Sequence, residues 1–247
     1  MMKMKEYALI VAGGKGTRIK NSLPKQFMEL DGKPVLLHSI EAFYRYSKKI
    51  AIVLVLPHDD LGVWDSVCEK YKPAKPVIIQ PGGETRFQSV RNGLDRIEGE
   101  GLVAIHDAAR PLVSEDTIAA SFRLAALHHC AVAAVRLKES IRMDLSEGRL
   151  GRKKNISKAV DRTRFWMIQT PQTFDVQLIK KAYRIKEDSR LTDDASVAER
   201  GGHFISLFEG SYENIKITTP EDFTIAEALI RQRKVDSRSM VVNTRLH

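Results

Sequence analysis

The stretch Ile50–Leu56, IAIVLVL, is apolar at every position. A strand that is apolar on both sides of its pleat must be covered on both faces, as in the middle of a parallel sheet. Further strand candidates recur at Tyr7–Ala12, Pro76–Gln80, Leu102–Ile105 and Ala131–Val135. Amphipathic segments lie between them. Val35–Tyr46 carries apolar residues at 36, 37, 40, 43 and 44, the stripe of a helix with one buried face. Leu61–Tyr71 and Thr85–Ile97 are the next helix candidates. Ser114 suits the N-cap of a helix ending near His128, and Glu115 and Asp116 in its first turn favour the helix dipole. Strand and helix therefore alternate through residue 135. This rhythm specifies an α/β fold with a doubly wound, mostly parallel sheet and ligands at the carboxyl ends of its strands.

Loops at 13–18, 82–89 and 106–111 all follow strands, so they are expected to converge on one edge of the sheet. The first is the most informative. The run Tyr7–Ala12 breaks into Gly13, Gly14 and Gly16, with the cations Lys15, Arg18 and Lys25 close behind. Glycines allow a sharp bend and close approach of backbone to ligand, and successive free N–H groups in such a bend form a concavity for anions. The combination suggests a polyphosphate cradle. Two common phosphate loops are excluded: Lys15 is followed by Gly16 rather than Ser or Thr, and Ile19 stands where a dinucleotide fingerprint needs its third glycine.

The segment Lys138–Lys158 interrupts the alternation. It is polar, basic and punctuated by Gly148 and Gly151. A surface loop is one reading. The other is a projecting β-hairpin arm, Ser140–Leu145 going out and Ile156–Val160 returning, with its turn near Glu147 and Gly148; such an arm needs a partner surface. Beyond it, Phe165–Ile168 reads as a short strand ended by Pro171, and Asp175–Ile185 as a helix capped by Asp175. Asp193 and Asp194 read as the cap of a helix running to Arg200 and stopped by Gly201 and Gly202. Phe204–Phe208 and Asn214–Ile217 are expected as strands. Thr219-Pro220-Glu221 starts a last helix, and the tail from Gln232 has little periodicity and is expected to fray. The organisation expected is one domain over 1–231, an arm at 138–160 and a basic tail at 232–247.

The chain of 247 residues has 40 Lys and Arg against 31 Asp and Glu, a formal charge of +9. This permits acidic partners. A nucleic-acid-binding protein concentrates such charge on one element with groove-reading or aromatic partners, and only 149–158 and the tail are locally basic. Cys68 and Cys130 are too few and too far apart for a disulfide framework or a zinc site. No apolar run is long enough to span a membrane, and MMKMKEY leads straight into the first strand without room for a signal peptide. A cytoplasmic protein is expected.

Read in order, GGKGTR (13–18), LPKQF (23–27), PGGETRFQSV (81–90), HDAARP (106–111), DR (161–162), QTPQTF (169–174), TDDAS (192–196) and NIKIT (214–218) carry a resemblance. Together they resemble the 2-C-methyl-D-erythritol 4-phosphate cytidylyltransferases of the non-mevalonate isoprenoid pathway, from about residue 5 to 230. Ribitol-5-phosphate cytidylyltransferases are the nearest alternative, but their patterns usually read HDSVRP and TDAC.

The resemblance implies a Rossmann-like nucleotidyltransferase fold and transfer of CMP from CTP to a polyol phosphate, assisted by Mg²⁺. Arg18, Lys25 and Lys216 would be the catalytic cations. Ala12, Gly13, Gly14 and Gly16 would wrap the triphosphate, and Gly82, Gly83, Glu84 and Ser89 would form the cytosine pocket, largely as a backbone reader. Asp107 and Ala108 would meet the ribose, with Asp107 also holding the metal; a turn cap is the alternative role for Asp107. Asp107, Ser140, Arg162, Thr170 and Lys216 would bind the polyol phosphate. Ser140 stands where the family commonly has threonine, so the hydroxyl is kept. The arm would make a homodimer, with Arg162 serving the partner's site. His106 would point away from the cleft and is read as structural.

Overall fold

The computed structural model describes residues 4–13, 23–73, 75–145 and 156–243, with side chains of the last helix described as far as residue 236. The first strand, β1 (Glu6–Val11), is followed by a small hairpin, β2 (Glu29–Leu30) and β3 (Lys33–Pro34), then α1 (Val35–Tyr46) and β4 (Ala51–Leu56). Next come α2 (Leu61–Tyr71), β5 (Ile78–Pro81), α3 (Arg86–Asp95), β6 (Leu102–Asp107), α4 (Glu115–His128) and β7 (Cys130–Arg136). The arm strands are β8 (Arg142–Asp144) and β9 (Ser157–Ala159). The chain ends with β10 (Trp166–Asp175), α5 (Val176–Ala182), α6 (Asp194–Arg200), β11 (Ser206–Glu209) and α7 (Pro220–Asn243).

Seven strands form one sheet in the order β11-β7-β10-β6-β1-β4-β5. All neighbours are parallel except β10, which runs antiparallel to β6 and β7. Successive side chains of a strand face opposite sides, and β1 shows the consequence. Ala8 and Ile10 pack into a core with Leu36, Ile40 and Phe43 of α1, whereas Tyr7, Leu9 and Val11 pack into a second core with Phe87 and Leu94 of α3. Both faces of the sheet are thus covered, as the fully apolar run at 50–56 demands. On the second face α3 lies very close: a Cβ on Gly93 would stand 2.4 Å from Leu9 and 2.7 Å from Val55 side-chain carbons. The chain order reverses at β1, with β4 on one side and β6 on the other, which opens a crevice at the carboxyl ends of these strands.

Three expectations need correction. Pro171 does not end its strand. β10 continues to Asp175, and its pairing with β7 shifts register between Ile168 and Gln172, where a residue without an N–H interrupts the ladder. Asn214–Ile217 is not a strand. Its polar groups are claimed individually: Arg110 Nη1 donates to the Asn214 carbonyl at 2.7 Å, and the Ile217 amide donates to the Ala109 carbonyl at 2.8 Å. The chain does not fray at Gln232, because α7 runs on to Asn243. Arg233 pairs with Glu213 at 2.7 Å and donates to the Leu112 carbonyl, and Lys234 pairs with Asp31 at 2.7 Å, so contacts across the fold pin a helix that has little amphipathic pattern. Smaller differences are a shorter α5 and a β11 that starts at Ser206.

The arm is a hairpin. Arg142 pairs with Ala159, Met143 with Lys158 and Asp144 with Ser157, and all six residues are exposed. Its turn lies outside the described residues. Its root is fastened to the sheet: the Arg136 guanidinium lies 3.6 Å from the Trp166 ring centre, Lys138 Nζ lies 3.7 Å from that of Tyr212, and the Tyr212 hydroxyl donates to the Arg136 carbonyl at 2.8 Å.

Candidate active site

Gly13, the start of the loop after β1, lies beside the loop after β5, and the loop after β6 leaves the same edge of the sheet. The Gly82 amide donates to the Leu56 carbonyl at 2.7 Å, and the Gly83 amide donates to Ser89 Oγ at 3.1 Å. A Cβ on Gly82 would stand only 2.8 Å from Ser89 Oγ, and one on Gly13 3.7 Å away, so Ser89 lies between the first and second loops. A Cβ at Gly82 would force the Ser89 hydroxyl to shift. Thr85 caps α3 by accepting from the Gln88 amide at 3.1 Å, and the exposed Glu84 has its amide on Gln88 Oε1 at 3.1 Å. Gly14, Gly16 and Arg18 lie outside the described residues. Ala12 is held from both sides: its amide donates to the Val55 carbonyl at 2.9 Å, and its carbonyl accepts from Gln26 Nε2 at 2.9 Å. Gln26, a neighbour of Lys25, also donates to the Asp60 carboxylate at 3.1 Å. Lys25 itself donates to the Ile217 carbonyl at 2.9 Å, which places it beside the Lys216 segment 192 positions further along.

Asp107, the last residue of β6, is the centre of the charged cluster. Its Oδ2 lies 2.8 Å from Lys216 Nζ and 3.9 Å from Arg110 Nε, and its Oδ1 lies 3.5 Å from Arg86 Nε. Burial alone would raise its pKa. Arg86 and then Lys216 more than offset this and hold the carboxyl well below the usual carboxylate range. It is therefore charged whenever the protein is folded near neutral pH. Arg110 Nε is buried and makes no hydrogen bond among the described residues. A cleft of about 280 Å³ opens here, bounded by Arg86, Asp107, Thr170, Gln172, Asp193 and Lys216 among others. Ala108 is buried beside it, its amide on the Val11 carbonyl at 3.0 Å.

Lys216 is aimed by its segment. Asn214 Nδ2 donates to the Thr170 carbonyl at 2.8 Å on one side, and the Asp222 carboxylate accepts from the amides of Thr218 and Thr219 at 2.7 and 2.8 Å on the other. Leu30, Val35, Leu112, Ile217, Ala226 and Ile230 form a small core beneath the segment and α7.

Thr170 is tied into the framework of Asp107. Its Oγ1 accepts from the Asp107 amide at 3.1 Å and lies 3.0 Å from His106 Nδ1. His106 Nε2 lies 3.1 Å from the Arg110 carbonyl, which can only accept. Nε2 is therefore the protonated nitrogen, and Nδ1 accepts from the Thr170 hydroxyl. Burial pushes the His106 pKa down to about 4. The imidazole is neutral, committed at both nitrogens and packed edge-on against Phe43, which fits its expected structural role.

Ser140 and Arg162 do not line this cleft. Both are exposed at the roots of the arm, where Arg162 donates to the Lys138 carbonyl. The sequence reading also missed two members of the cluster. Arg86 stands within PGGETRFQSV without a role of its own there, and Asp194, within TDDAS and read as part of a cap, binds Arg86 through both carboxylate oxygens at 2.9 and 2.7 Å. Asp193 alone makes the helix cap, accepting from the Ser196 amide at 2.9 Å.

The chain resembles known proteins along nearly its whole length. Residues 7–232 match the family described as "IspD: 2-C-methyl-D-erythritol 4-phosphate cytidylyltransferase". The chain is 44% identical over 227 residues to the 2-C-methyl-D-erythritol 4-phosphate cytidylyltransferase of Phocaeicola vulgatus, covering 92% of this chain and 100% of that protein. The protein of the same name from Porphyromonas gingivalis is 44% identical over 230 residues, covering 93% and 99%. Among solved structures, the 4-diphosphocytidyl-2C-methyl-D-erythritol synthase of Anaerococcus prevotii superposes with a TM-score of 0.77 at 26% identity, covering 92% of this chain and 96% of that one. The Francisella tularensis 2-C-methyl-D-erythritol 4-phosphate cytidylyltransferase gives 0.72 at 30% identity, covering 90% and 98%.

One prediction concerns His106. Its folded pKa is below the ordinary value of 6.5, so between the two values the unfolded chain binds more protons. Stability is therefore lost as pH falls from about 6.5 towards 4, by ~3 kcal/mol from this residue. In urea unfolding measured across that range, His106→Gln should show a shallower loss than the unaltered protein. Equal slopes would contradict the assignment of a buried neutral imidazole.

Proposed function

Since the chain belongs to the 2-C-methyl-D-erythritol 4-phosphate cytidylyltransferase family, we propose that the cleft around Asp107 is where two polyanionic substrates meet and have their charge offset. The chain transfers CMP from CTP to 2-C-methyl-D-erythritol 4-phosphate, releasing pyrophosphate, in isoprenoid precursor biosynthesis. Ribitol 5-phosphate is not favoured as substrate, nor is nucleic acid as partner. The observation that carries the site reading is the cluster of Arg86, Arg110 and Lys216 about one ionised carboxylate.

In this reading an oxygen of the methylerythritol phosphate attacks the α-phosphorus of CTP, and the bond from that phosphorus to the α,β-bridging oxygen breaks. A phosphate monoester has a second pKa of about 6, so it is largely dianionic at neutral pH and needs no general base. The neutral, doubly committed His106 is consistent with that. The difficulty is electrostatic, and preorganised cations meet it. Lys216 serves the α-phosphate, while Arg18 and Lys25 offset charge on the departing pyrophosphate. Gly13, Gly14 and Gly16 wrap the triphosphate, and the turn of Gly82, Gly83, Glu84 and Ser89 reads the cytosine. Asp107 and Ala108 meet the ribose. Mg²⁺ fits the same place, because the ion takes one or two carboxylates together with substrate phosphates, and Asp107 presents an ionised carboxylate to the cleft. When bound, it supplies further positive charge at the phosphate oxygens.

Pyrophosphate release tests this assignment. Turnover is expected with CTP and 2-C-methyl-D-erythritol 4-phosphate, far less with ribitol 5-phosphate, and none after chelation until Mg²⁺ is returned. Undiminished turnover after rigorous chelation would remove the metal from the proposal.

The arm supports a second part of the proposal, a two-fold dimer. Met143, Leu145 and Ile156 are each about half exposed on it, at 51%, 49% and 52%, and Phe165 and Met167 at its base add to the apolar surface. A second copy of the chain would cover this surface, and the exchange of arms would order both at once. Arg162 would then grip the substrate phosphate in the partner's cleft, with Ser140 adding a hydroxyl. The two cysteines are free thiols, which suits a cytoplasmic setting. No helix among the described residues is long and apolar enough to cross a membrane.

Subunit mixing distinguishes a shared site from a private one. Arg162→Ala and Lys25→Ala proteins should each be nearly inactive. If Arg162 acts across the interface, a mixed dimer has one site with both defects and one with neither, so activity returns on exchange. No recovery after verified exchange would refute the shared site.

A further inference from the structure

Asp194 occupies the first turn of α6 but does not cap it, since Asp193 already does so. Its side chain is fully buried and serves Arg86 and Tyr183. Arg86 Nη1 donates to Asp194 Oδ1 at 2.9 Å and Nη2 donates to Oδ2 at 2.7 Å, fork against fork. The hydroxyl of the buried Tyr183 donates to Oδ1 at 2.5 Å, and the Tyr183 ring packs on Phe87 with centroids 4.7 Å apart. Carrying such an ion pair into the interior costs desolvation comparable to the attraction it gains, so stability is a weak reason to retain it. A planar fork gripped at both ends cannot turn. Its remaining edge, Nε, faces Asp107 Oδ1 at 3.5 Å.

We infer that Asp194 and Tyr183 are positioning residues that lock the Arg86 guanidinium at the wall of the cleft, and that Arg86 in turn fixes the Asp107 carboxylate to accept from the hydroxyls of the polyol phosphate. The inference rests on the function proposed above and extends it to residues to which that reading gives no role. Asp107 divides its oxygens, Oδ1 towards Arg86 and Oδ2 towards Lys216. When the substrate phosphate draws Lys216 away, Arg86 is the partner that keeps the carboxylate from rotating. The cytosine turn does not need this device. Its backbone is held by Ser89, Gln88 and Thr85, none of which depends on the Arg86 side chain. The effect should therefore fall more heavily on the polyol phosphate than on CTP, which keeps its cytosine contacts.

The experiment compares Asp194→Asn, Tyr183→Phe and Arg86→Lys with the unaltered enzyme in the pyrophosphate assay, with the thermal midpoint of each recorded. Asp194→Asn keeps the shape and loses the charge, Tyr183→Phe loses only the hydroxyl, and Arg86→Lys keeps the charge and loses the fork. The KM for 2-C-methyl-D-erythritol 4-phosphate is expected to rise about tenfold in Asp194→Asn and Arg86→Lys and about threefold in Tyr183→Phe, the size of one displaced charge-assisted contact. The KM for CTP should rise less in each variant, since Asp107 also meets the ribose but the cytosine turn is untouched. If Asp194→Asn does not fold, Tyr183→Phe and Arg86→Lys decide the matter. The KM for CTP rising as much as that for 2-C-methyl-D-erythritol 4-phosphate, or neither moving while kcat falls in step with lost folded protein, would overturn the inference and leave the function standing. An unaltered enzyme without turnover would overturn the function and the inference together.

Discussion

The structure depends on a carboxylate that stays charged in a place where burial alone would neutralise it. Asp107 ends the central strand β6 with its side chain about nine-tenths buried, and Arg86, Arg110 and Lys216 converge on it from three separate parts of the chain. Of these groups, Asp107 and Arg110 are the most buried charges, and removing a partner leaves them to bear the cost of an unpaired buried charge. Each is in turn secured by an unrelated element. Arg86 is gripped by Asp194, Arg110 is bound to the carbonyl of Asn214, and Lys216 rides on a segment clamped between Thr170 and Asp222.

The fold explains why such distant residues can meet. A sheet covered on both faces has nowhere to place a ligand except at the ends of its strands, and the reversal of order at β1 separates the loops enough to leave a crevice. Gly13, the 82–89 turn and Asp107 all leave the sheet at this edge. The antiparallel β10 brings Thr170 and Gln172 to the same place, and α7 with its small core brings Lys216. The result suits phosphoryl chemistry, where the protein has little covalent work to do and most of the catalysis is positioning and charge.

The parts of this arrangement that were legible in the sequence are those governed by local pattern. The stripe at Val35–Tyr46, the apolar run at 50–56 and the Ser114 cap each specify an element from a few neighbouring residues, and the elements form where the pattern puts them. Lys25, Asp107 and Lys216 were legible because they stand in motifs. What was missed depends on contacts across the fold. Pro171 reads as a strand breaker, yet a register shift lets β10 pass through it. Asn214–Ile217 has the alternation of a strand, but isolated bonds to side chains and to the Ala109 and Ser211 carbonyls satisfy its backbone in place of a ladder. The reach of α7 beyond Gln232 comes from Arg233 and Lys234 finding Glu213 and Asp31. Asp194 looks like half of a cap until Arg86, 108 positions earlier, is seen to occupy it.

The central claim is that the surrounding cations outweigh burial at Asp107. A carbon-detected NMR titration of the Asp107 carboxyl measures this directly. The midpoint is expected well below the ordinary aspartate value of about 3.9, with the carboxyl still ionised at the lowest pH the folded protein tolerates. A midpoint at or above that value would show that burial prevails over Arg86 and Lys216, and the site would then lack the fixed charge around which it is organised.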